Sequence, residues 1–579
     1  MIYIICKRSK KMICTKTANG YAVTAKKYSL EVSERKIAVI LKKVPVATLS
    51  PISAVDILRG EEVVGDVDEK ALVFEAKVDI ADNRPVFSWT TKSNLWEKKV
   101  YTLVCGEENF SFKVKIFGKG NIHTLDYFKG ISMDPENYSG YEFSEGFIPM
   151  AHETHLDHGH FYPTDNFEYY STLMIPHLFC YTFKTEDLSE RLGLGLVAKP
   201  GEYNFHRFNY RGGEFYKHCW FSLWVDYDGM TEVDGEWESP EVVGFSGKDE
   251  YDVLSQYSEY HFSSGILPRK EAKKAPRFWH GPIACGWLEQ NARSEEFKTV
   301  LFHLAKESLY NDLVAKLDGK GLEPKILIID DKWQEKYGTA VPDKNKWPDL
   351  RAFIDRMHDK GIKVFMWFKL WDAEGLDDDM CIIDGDGNRA ADPTNPKYVE
   401  HLRARIKTLV SDKEGGYNCD GFKLDFAFLI PKGIKAKSYG GQYGSELLKT
   451  YFKVIHDAAK EEKPDACINC SPCHPYYADI CDHARIHDYD FRNRNIGAEM
   501  TFRAETYKIA LPNTLIDTDG AGFASHRDTM RYMRIAPKLG IPDLYEVSNN
   551  AALTLTDEDW AEVKEIWDKY NKKIDKQYK

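Results

Sequence analysis

No stretch of the 579-residue chain approaches the ~20 consecutive apolar residues that a membrane span requires, so a membrane-embedded class is not expected. Positive charge is not in excess either. The 78 Lys and Arg face 90 Asp and Glu, leaving a formal charge of −12 without the basic footprint of a nucleic-acid binder. The 12 cysteines are scattered rather than arrayed as a disulfide framework, which suits a reducing compartment. A secretory signal is also missing from the Met1–Cys14 stretch, where a short apolar start precedes Lys7, Arg8, Lys10 and Lys11, the reverse of the signal-peptide order. A cytoplasmic location is therefore expected. No internal repeat is evident. Disorder is excluded by what is present: 43% hydrophobic and 13% aromatic residues are ample for filled cores.

The length calls for more than one domain. Residues 1–262 read as an all-β sandwich, with short alternating runs such as Lys36–Leu41 and Phe110–Ile116 separated by Gly, Asp and Asn turns. Residues 263–277 read as a linker, because Pro268–Pro276 is charged, bounded by prolines and free of large apolar residues. Residues 278–579 alternate strands with helices. Candidate strands run over 280–287, 325–331, 363–371, 421–428, 466–471, 484–490, 514–518 and 543–547. Between them lie helical patterns such as Leu350, Phe353, Ile354 and Met357, closed by Gly361. Eight strands in about 300 residues predict a (β/α)8 TIM barrel.

The most informative stretch is Asn418–Ile430. Asp420-Gly421 opens a short apolar run that reads as a buried strand, on which Lys423 and Asp425 share one face while Phe422, Leu424 and Phe426 share the other. Two opposite charges inside a barrel are costly unless a site uses them. The expectation is that Lys423 keeps Asp425 ionised, as a carboxylate nucleophile must be.

Barrel active sites lie at the C-terminal strand ends. Those ends carry Asp330, Asp331 and Trp333 (strand two), Trp367 (strand three), Asn469 to His474 (strand five) and Arg485 to Asp490 (strand six). Carboxylates accept hydrogen bonds from sugar hydroxyls and Trp faces stack on sugar rings, so the set suits an oligosaccharide or glycoside partner.

These residues resemble the α-galactosidases of glycoside hydrolase family 36 and their clan D relatives in families 27 and 31. The resemblance is carried by Asp330-Asp331-Lys332-Trp333, Trp347-Pro348-Asp349-Leu350, Gly361-Ile362-Lys363-Val364, Lys423-Leu424-Asp425 and Asn469-Cys470-Ser471, and covers most of residues 276–579. It implies a retaining exo-acting hydrolase of a terminal α-linked hexose, with α-galactoside as the leading substrate. Other α-glucosides, α-xylosides and α-N-acetylgalactosaminides stand as alternatives. By the same resemblance Asp425 is the nucleophile and Asp488 the acid/base, with Asp490 as the alternative. Asp330, Asp331, Lys423, Cys470 and Arg485 are then substrate-side residues. No cofactor and no metal is implied, and a homo-oligomer is compatible. The chain departs from the family at Lys332, Lys369-Leu370-Trp371, Pro472-Cys473-His474 and His487, positions that bear on sugar identity.

Other readings stay open at this level. A Schiff-base aldolase would use Lys423, and an inactive glycan-binding protein would keep the same strand ends without turnover. Cys467, Cys470 and Cys473 resemble an iron–sulfur fragment without its fourth ligand. His152, His155, His158 and His160 lack zincin spacing and read as a polar loop.

Overall fold

The computed structural model describes residues 12–69, 72–79, 84–132, 134–149, 159–166, 176–215, 218–486, 495–520, 525–549 and 554–579. The N-terminal half is antiparallel. One six-stranded sheet runs in the order Ile13–Thr17, Gly20–Thr24, Ser29–Val32, Ile37–Leu41, Val44–Leu49 and Gly140–Tyr141. A thirteen-stranded sheet is built around the long strand Phe110–Tyr127, which pairs with Lys98–Cys105, Glu241–Gly247, Ala54–Arg59 and His218–Glu238. Alternation sets the layers: Phe110, Phe112, Val114 and Ile116 are buried while the residues between them are only partly covered.

A helix at Glu250–Ser263 follows, in a region whose sequence shows little one-sided periodicity. The reason is that the helix is covered on more than one side. Val253 and Tyr257 press into strand Arg191–Val197 at Gly193 and Gly195, where an added Cβ would meet Val253 Cγ1 at 2.2 Å and Tyr257 Cδ2 at 2.4 Å. From another face Ser258 donates to the Ile509 carbonyl of helix Ile496–Ala510 at 2.7 Å, so the element bridges the two halves.

The C-terminal half is the barrel. Its strands are one (Ile283–Cys285), two (Ile326–Ile329), three (Lys363–Lys369), four (Gly421–Asp425), five (Cys467–Cys470), six (His483–Arg485), seven (Leu515–Asp517) and eight (Asp543–Leu544). All neighbours are parallel, strand eight returns to strand one, and an Asp517–Ile541 bridge joins the last gap. Seven of the strands lie within the runs expected from the sequence, while strand six, His483–Arg485, overlaps only the start of its expected run 484–490; strands such as Ile326–Ile329 are buried throughout and read as continuous apolar chain. Helix Leu350–Asp359 buries Leu350, Phe353, Ile354 and Met357, is capped by the Asp349 side chain, and is followed by Gly361 at φ 75°.

The halves meet along the helix after strand four. Glu446 Oε2 accepts the Gly201 and Tyr203 N–H groups at 3.0 and 3.3 Å, and Tyr203 stacks on Tyr476 with ring centroids 4.0 Å apart. The aromatic stretch around Tyr203 thus packs an internal seam. No helix among the described residues is long and apolar enough to cross a membrane.

Candidate active site

Strand parity decides which side chains enter the barrel. Ile283, Cys285, Ile326, Ile328, Phe365, Cys467, Ile541 and Tyr545 form one apolar cluster in the lumen, whereas Leu327, Val364, Met366, Phe422, Leu424, Ile468 and Cys470 belong to the core outside it. Trp367, Lys423 and Asn469 are register partners across strands three, four and five, and lie above Phe365 and Cys467 on the lumen side.

Asp425 is the last residue of strand four, and Phe426 then turns away at φ 60°. The strand is therefore shorter than expected. The turn is useful, since the Phe426 N–H donates to Asp425 Oδ1 at 2.9 Å. Arg485 Nη2 donates to the same oxygen at 2.9 Å, and Trp367 Nε1 donates to Oδ2 at 3.0 Å. Three donors around one carboxyl favour its ionised form. The Asp425 side chain is 20% exposed, whereas Arg485 is 1% exposed.

Lys423 takes a different role from the one expected. Its ammonium donates to Asp330 Oδ2 at 2.9 Å, while the guanidinium of Arg485 is the cation on Asp425. Cys285 donates its thiol to the same Asp330 oxygen at 3.0 Å. Burial by itself lowers the Lys423 ammonium, but Asp330 and Cys285 outweigh it and raise it well above its ordinary range. A lysine held protonated in this way is a poor Schiff-base nucleophile, which weighs against the aldolase reading.

Asp330 and Asp331 diverge at the end of strand two. Asp330 is 2% exposed and accepts the Asp331 N–H at 2.8 Å besides Lys423 and Cys285. Asp331 accepts the Tyr337 hydroxyl at 2.6 Å. Burial pushes the Asp331 carboxyl up to about 7, Tyr337 and Lys369 oppose the rise, and Asp330 and Asp425 add to it. Lys369 pairs with Asp372 at 2.8 Å and lies over the Tyr337 and Phe426 rings.

Two expected positions move out of the lumen. Trp333 is fully buried and donates its indole N–H to the Trp367 carbonyl at 2.7 Å, so it braces Trp367 and offers no open face. Cys470 is turned away from the lumen into the outer core. The lumen residue is its neighbour Asn469, whose Nδ2 donates to Asp517 Oδ2 at 2.6 Å. The same parity splits the Cys467, Cys470 and Cys473 triplet, with Cys467 inside the barrel and the other two outside. It is not a common ligand set.

Asp488 and Asp490 lie outside the described residues, as do His487, His152, His155 and His158. His160 is described, and its Nδ1 is 2.9 Å from Glu145 Oε1 on the paired strand. Among the described residues the His/Asp group with ligand-like spacing is His123, Asp226 and Asp228. Arg207 and Lys432 lie within electrostatic reach of its carboxylates and already supply positive charge there.

Several site residues have no counterpart in the sequence reading. They are Tyr337, Cys285, and the group Asp517, Asp519 and Asp543 with Tyr545. The strand-end Asp517-Thr518-Asp519-Gly520 repeats the acidic ending of strands two and four, and that was the available signal.

Fold and site together define a (β/α)8 barrel with carboxylate-rich C-terminal strand ends and an N-terminal β-sandwich. No family model matches the chain. It is similar to solved structures of the α-N-acetylgalactosaminidase NagBb from Bifidobacterium bifidum (10% identity, TM-score 0.64, covering 94% of this chain and 92% of that one). It is also similar to a GH31 sulfoquinovosidase from E. rectale (12%, 0.56, 94% and 82%) and to the α-galactosidase TtGalA from Thermus thermophilus (14%, 0.50, 85% and 99%). At these identities the likeness shows the fold. In sequence, 162 residues are 26% identical to the α-xylosidase XylQ of Lactiplantibacillus pentosus, covering 24% of this chain and 20% of that one. The matched stretch is thus about one fifth of that relative's length. By their names these proteins are glycosidases of more than one specificity.

Proposed function

We propose that the chain is a retaining α-glycosidase that removes a terminal α-linked hexose by double displacement, with Asp425 as nucleophile. One observation carries the reading: a carboxylate at the C-terminal end of strand four, held by Arg485, Trp367 and a backbone N–H. In such a reaction the carboxylate attacks the anomeric carbon while a second carboxylic acid protonates the leaving oxygen, and water then reverses the step. Asp488 is proposed as that acid, with Asp490 as the alternative. Asp330 and Asp331 supply acceptors for sugar hydroxyls, and Trp367 borders the anomeric centre through its bond to Asp425. An α-galactoside is the leading substrate, and the α-glucoside, α-xyloside and α-N-acetylgalactosaminide are the alternatives. The names of the similar proteins support the reaction type and spread over several sugars.

A panel of aryl α-glycosides of these four sugars tests the proposal. Turnover of one of them that is lost in Asp425→Asn supports it. Glycan binding without turnover of any would leave a binding protein instead.

A further inference from the structure

The lumen beneath Asp425 holds more carboxyls than the nucleophile needs. Asp517 ends strand seven, Asp519 follows it and Asp543 opens strand eight; all three are buried, and each has a different set of partners. Asp517 Oδ2 accepts Asn469 Nδ2 at 2.6 Å and its Oδ1 accepts the Asp519 N–H at 3.1 Å. Asp543 Oδ1 accepts the Gly520 N–H at 2.5 Å. These two shape the turn. Asp519 instead accepts the Tyr545 hydroxyl on Oδ1 and Arg485 Nη1 on Oδ2, the latter at 3.0 Å. Arg485 uses its other terminal nitrogen on Asp425, so a single guanidinium spans the two carboxylates.

We propose that Asp519 is a positioning residue for the nucleophile: it fixes the Arg485 guanidinium so that Nη2 presents its donor to Asp425 Oδ1.

Three further observations support this. The Asp519 backbone lies in the left-handed region at φ 48°, a conformation that a non-glycine residue adopts at a cost, and such strain is kept where surrounding structure over-determines it. Here the turn is pinned by Asp517 to the Asp519 N–H and by Thr518 Oγ1 to the Ile541 carbonyl at 2.7 Å. Gly520 lets Asp543 approach closely, since a Cβ there would stand 2.5 Å from Asp543 Oδ1. Second, the two Asp519 oxygens accept from both groups facing them, Arg485 Nη1 and the Tyr545 hydroxyl, and an Asn amide would have to turn an N–H toward Arg485 or make the Tyr545 hydroxyl rotate to accept it. Third, burial pushes Asp517 up to about 6 and Asp543 well above the carboxylate range, and the neighbouring carboxylates add to both rises. Raised in this way, Asp517 and Asp543 compete less for the Arg485 guanidinium.

Among the described residues the charged groups around Asp425 include Asp330, Asp331, Lys369, Lys423, Arg485 and Asp519. Removing the Asp519 charge takes one like charge away from the surroundings of Asp425, which favours the ionised nucleophile. The acid limb of kcat/KM should then move to lower pH by about one unit, the order expected when a like charge on the far side of one guanidinium is removed at an effective dielectric near 20. A more firmly ionised and less well oriented nucleophile should also lower kcat/KM, by about tenfold.

The kinetic arm rests on the α-glycosidase reading; a spectroscopic arm does not. Wild type, Asp519→Asn and Asp519→Glu are compared on an aryl α-glycoside for the pH profile. Infrared difference spectra, each background against its own Asp425→Asn variant, report the ionisation of Asp425 directly. The expected result is an acid limb and an Asp425 titration both displaced to lower pH in Asp519→Asn, with Asp519→Glu restoring them toward wild type. A uniform loss of rate with both titrations unmoved would overturn the proposal and leave Asp519 as a packing residue. Absence of turnover in wild type would refute the glycosidase reading, while the infrared titration would still decide the role of Asp519.

Discussion

The Asp331 carboxyl offers a prediction whose sign and size follow from its surroundings. Its folded-state value is about 7 against an ordinary 3.8, chiefly through burial. Between those values an unfolded chain ionises Asp331 while the folded chain keeps it protonated. The stability it contributes is therefore full at about pH 4, falls as pH rises toward 7, and is flat above. A difference of about three pH units corresponds to about 4 kcal/mol at 1.36 kcal/mol per unit, an upper bound; relaxation of a group at the pocket edge brings the expected effect to about 2 kcal/mol. Asp331→Asn keeps an acceptor for the Tyr337 hydroxyl but has no charge to lose. The variant should match wild type near pH 4 and exceed its stability by about 2 kcal/mol at pH 8, read by chemical or thermal unfolding over a pH series. The difference between variant and wild type isolates this one group. A difference that stays constant from pH 4 to pH 8, or that grows toward acid, would refute the reasoning.

The remaining predictions concern the chemistry and its supports. Asp425→Ala or Asp425→Asn should lower turnover by at least ~10³-fold with little change in folding, and azide should partly rescue the Ala variant; near-normal rates in either would remove Asp425 as nucleophile. Lys423→Met leaves Asp330 buried without its ammonium partner and should cost about 3–5 kcal/mol in denaturant unfolding, while adding Asp330→Asn should recover part of that loss. Equal, additive costs would show that the pair is not coupled. Between Asp488 and Asp490, the acid/base variant should lose most activity on poor leaving groups and little on good aryl ones, and should lose the basic limb of its pH profile. If only Asp490→Ala behaves so, the role belongs to Asp490.

Much of this arrangement was legible in the chain because barrel strands are covered on both faces. Runs such as Ile326–Ile329 and Gly421–Asp425 stand out as short apolar segments between amphipathic helices. Lys423 and Asp425 were also placed correctly on one face, since parity within a single strand needs no tertiary information. What could not be read is the pairing across the lumen. That Lys423 reaches Asp330 and Arg485 reaches Asp425 depends on the stagger between strands, which no local pattern encodes. Cys470 and Asn469 illustrate the same point, because a one-residue difference in register exchanges lumen for outer core. Trp333 reads like an open aromatic platform until its burial and the bond from its indole N–H to the Trp367 carbonyl are known. Asp519 follows a strand of only three residues, and helix Glu250–Ser263 is apolar on several sides; both leave a weak periodic signal.

The central claim, double displacement through Asp425, is tested most directly by the anomeric configuration of the first sugar released. Hydrolysis of the best aryl α-glycoside is followed by proton NMR before mutarotation. The α-anomer should appear first and the β-anomer only as mutarotation proceeds. Initial release of the β-anomer would mean a single displacement by water and would contradict the assignment of Asp425 as a covalent nucleophile.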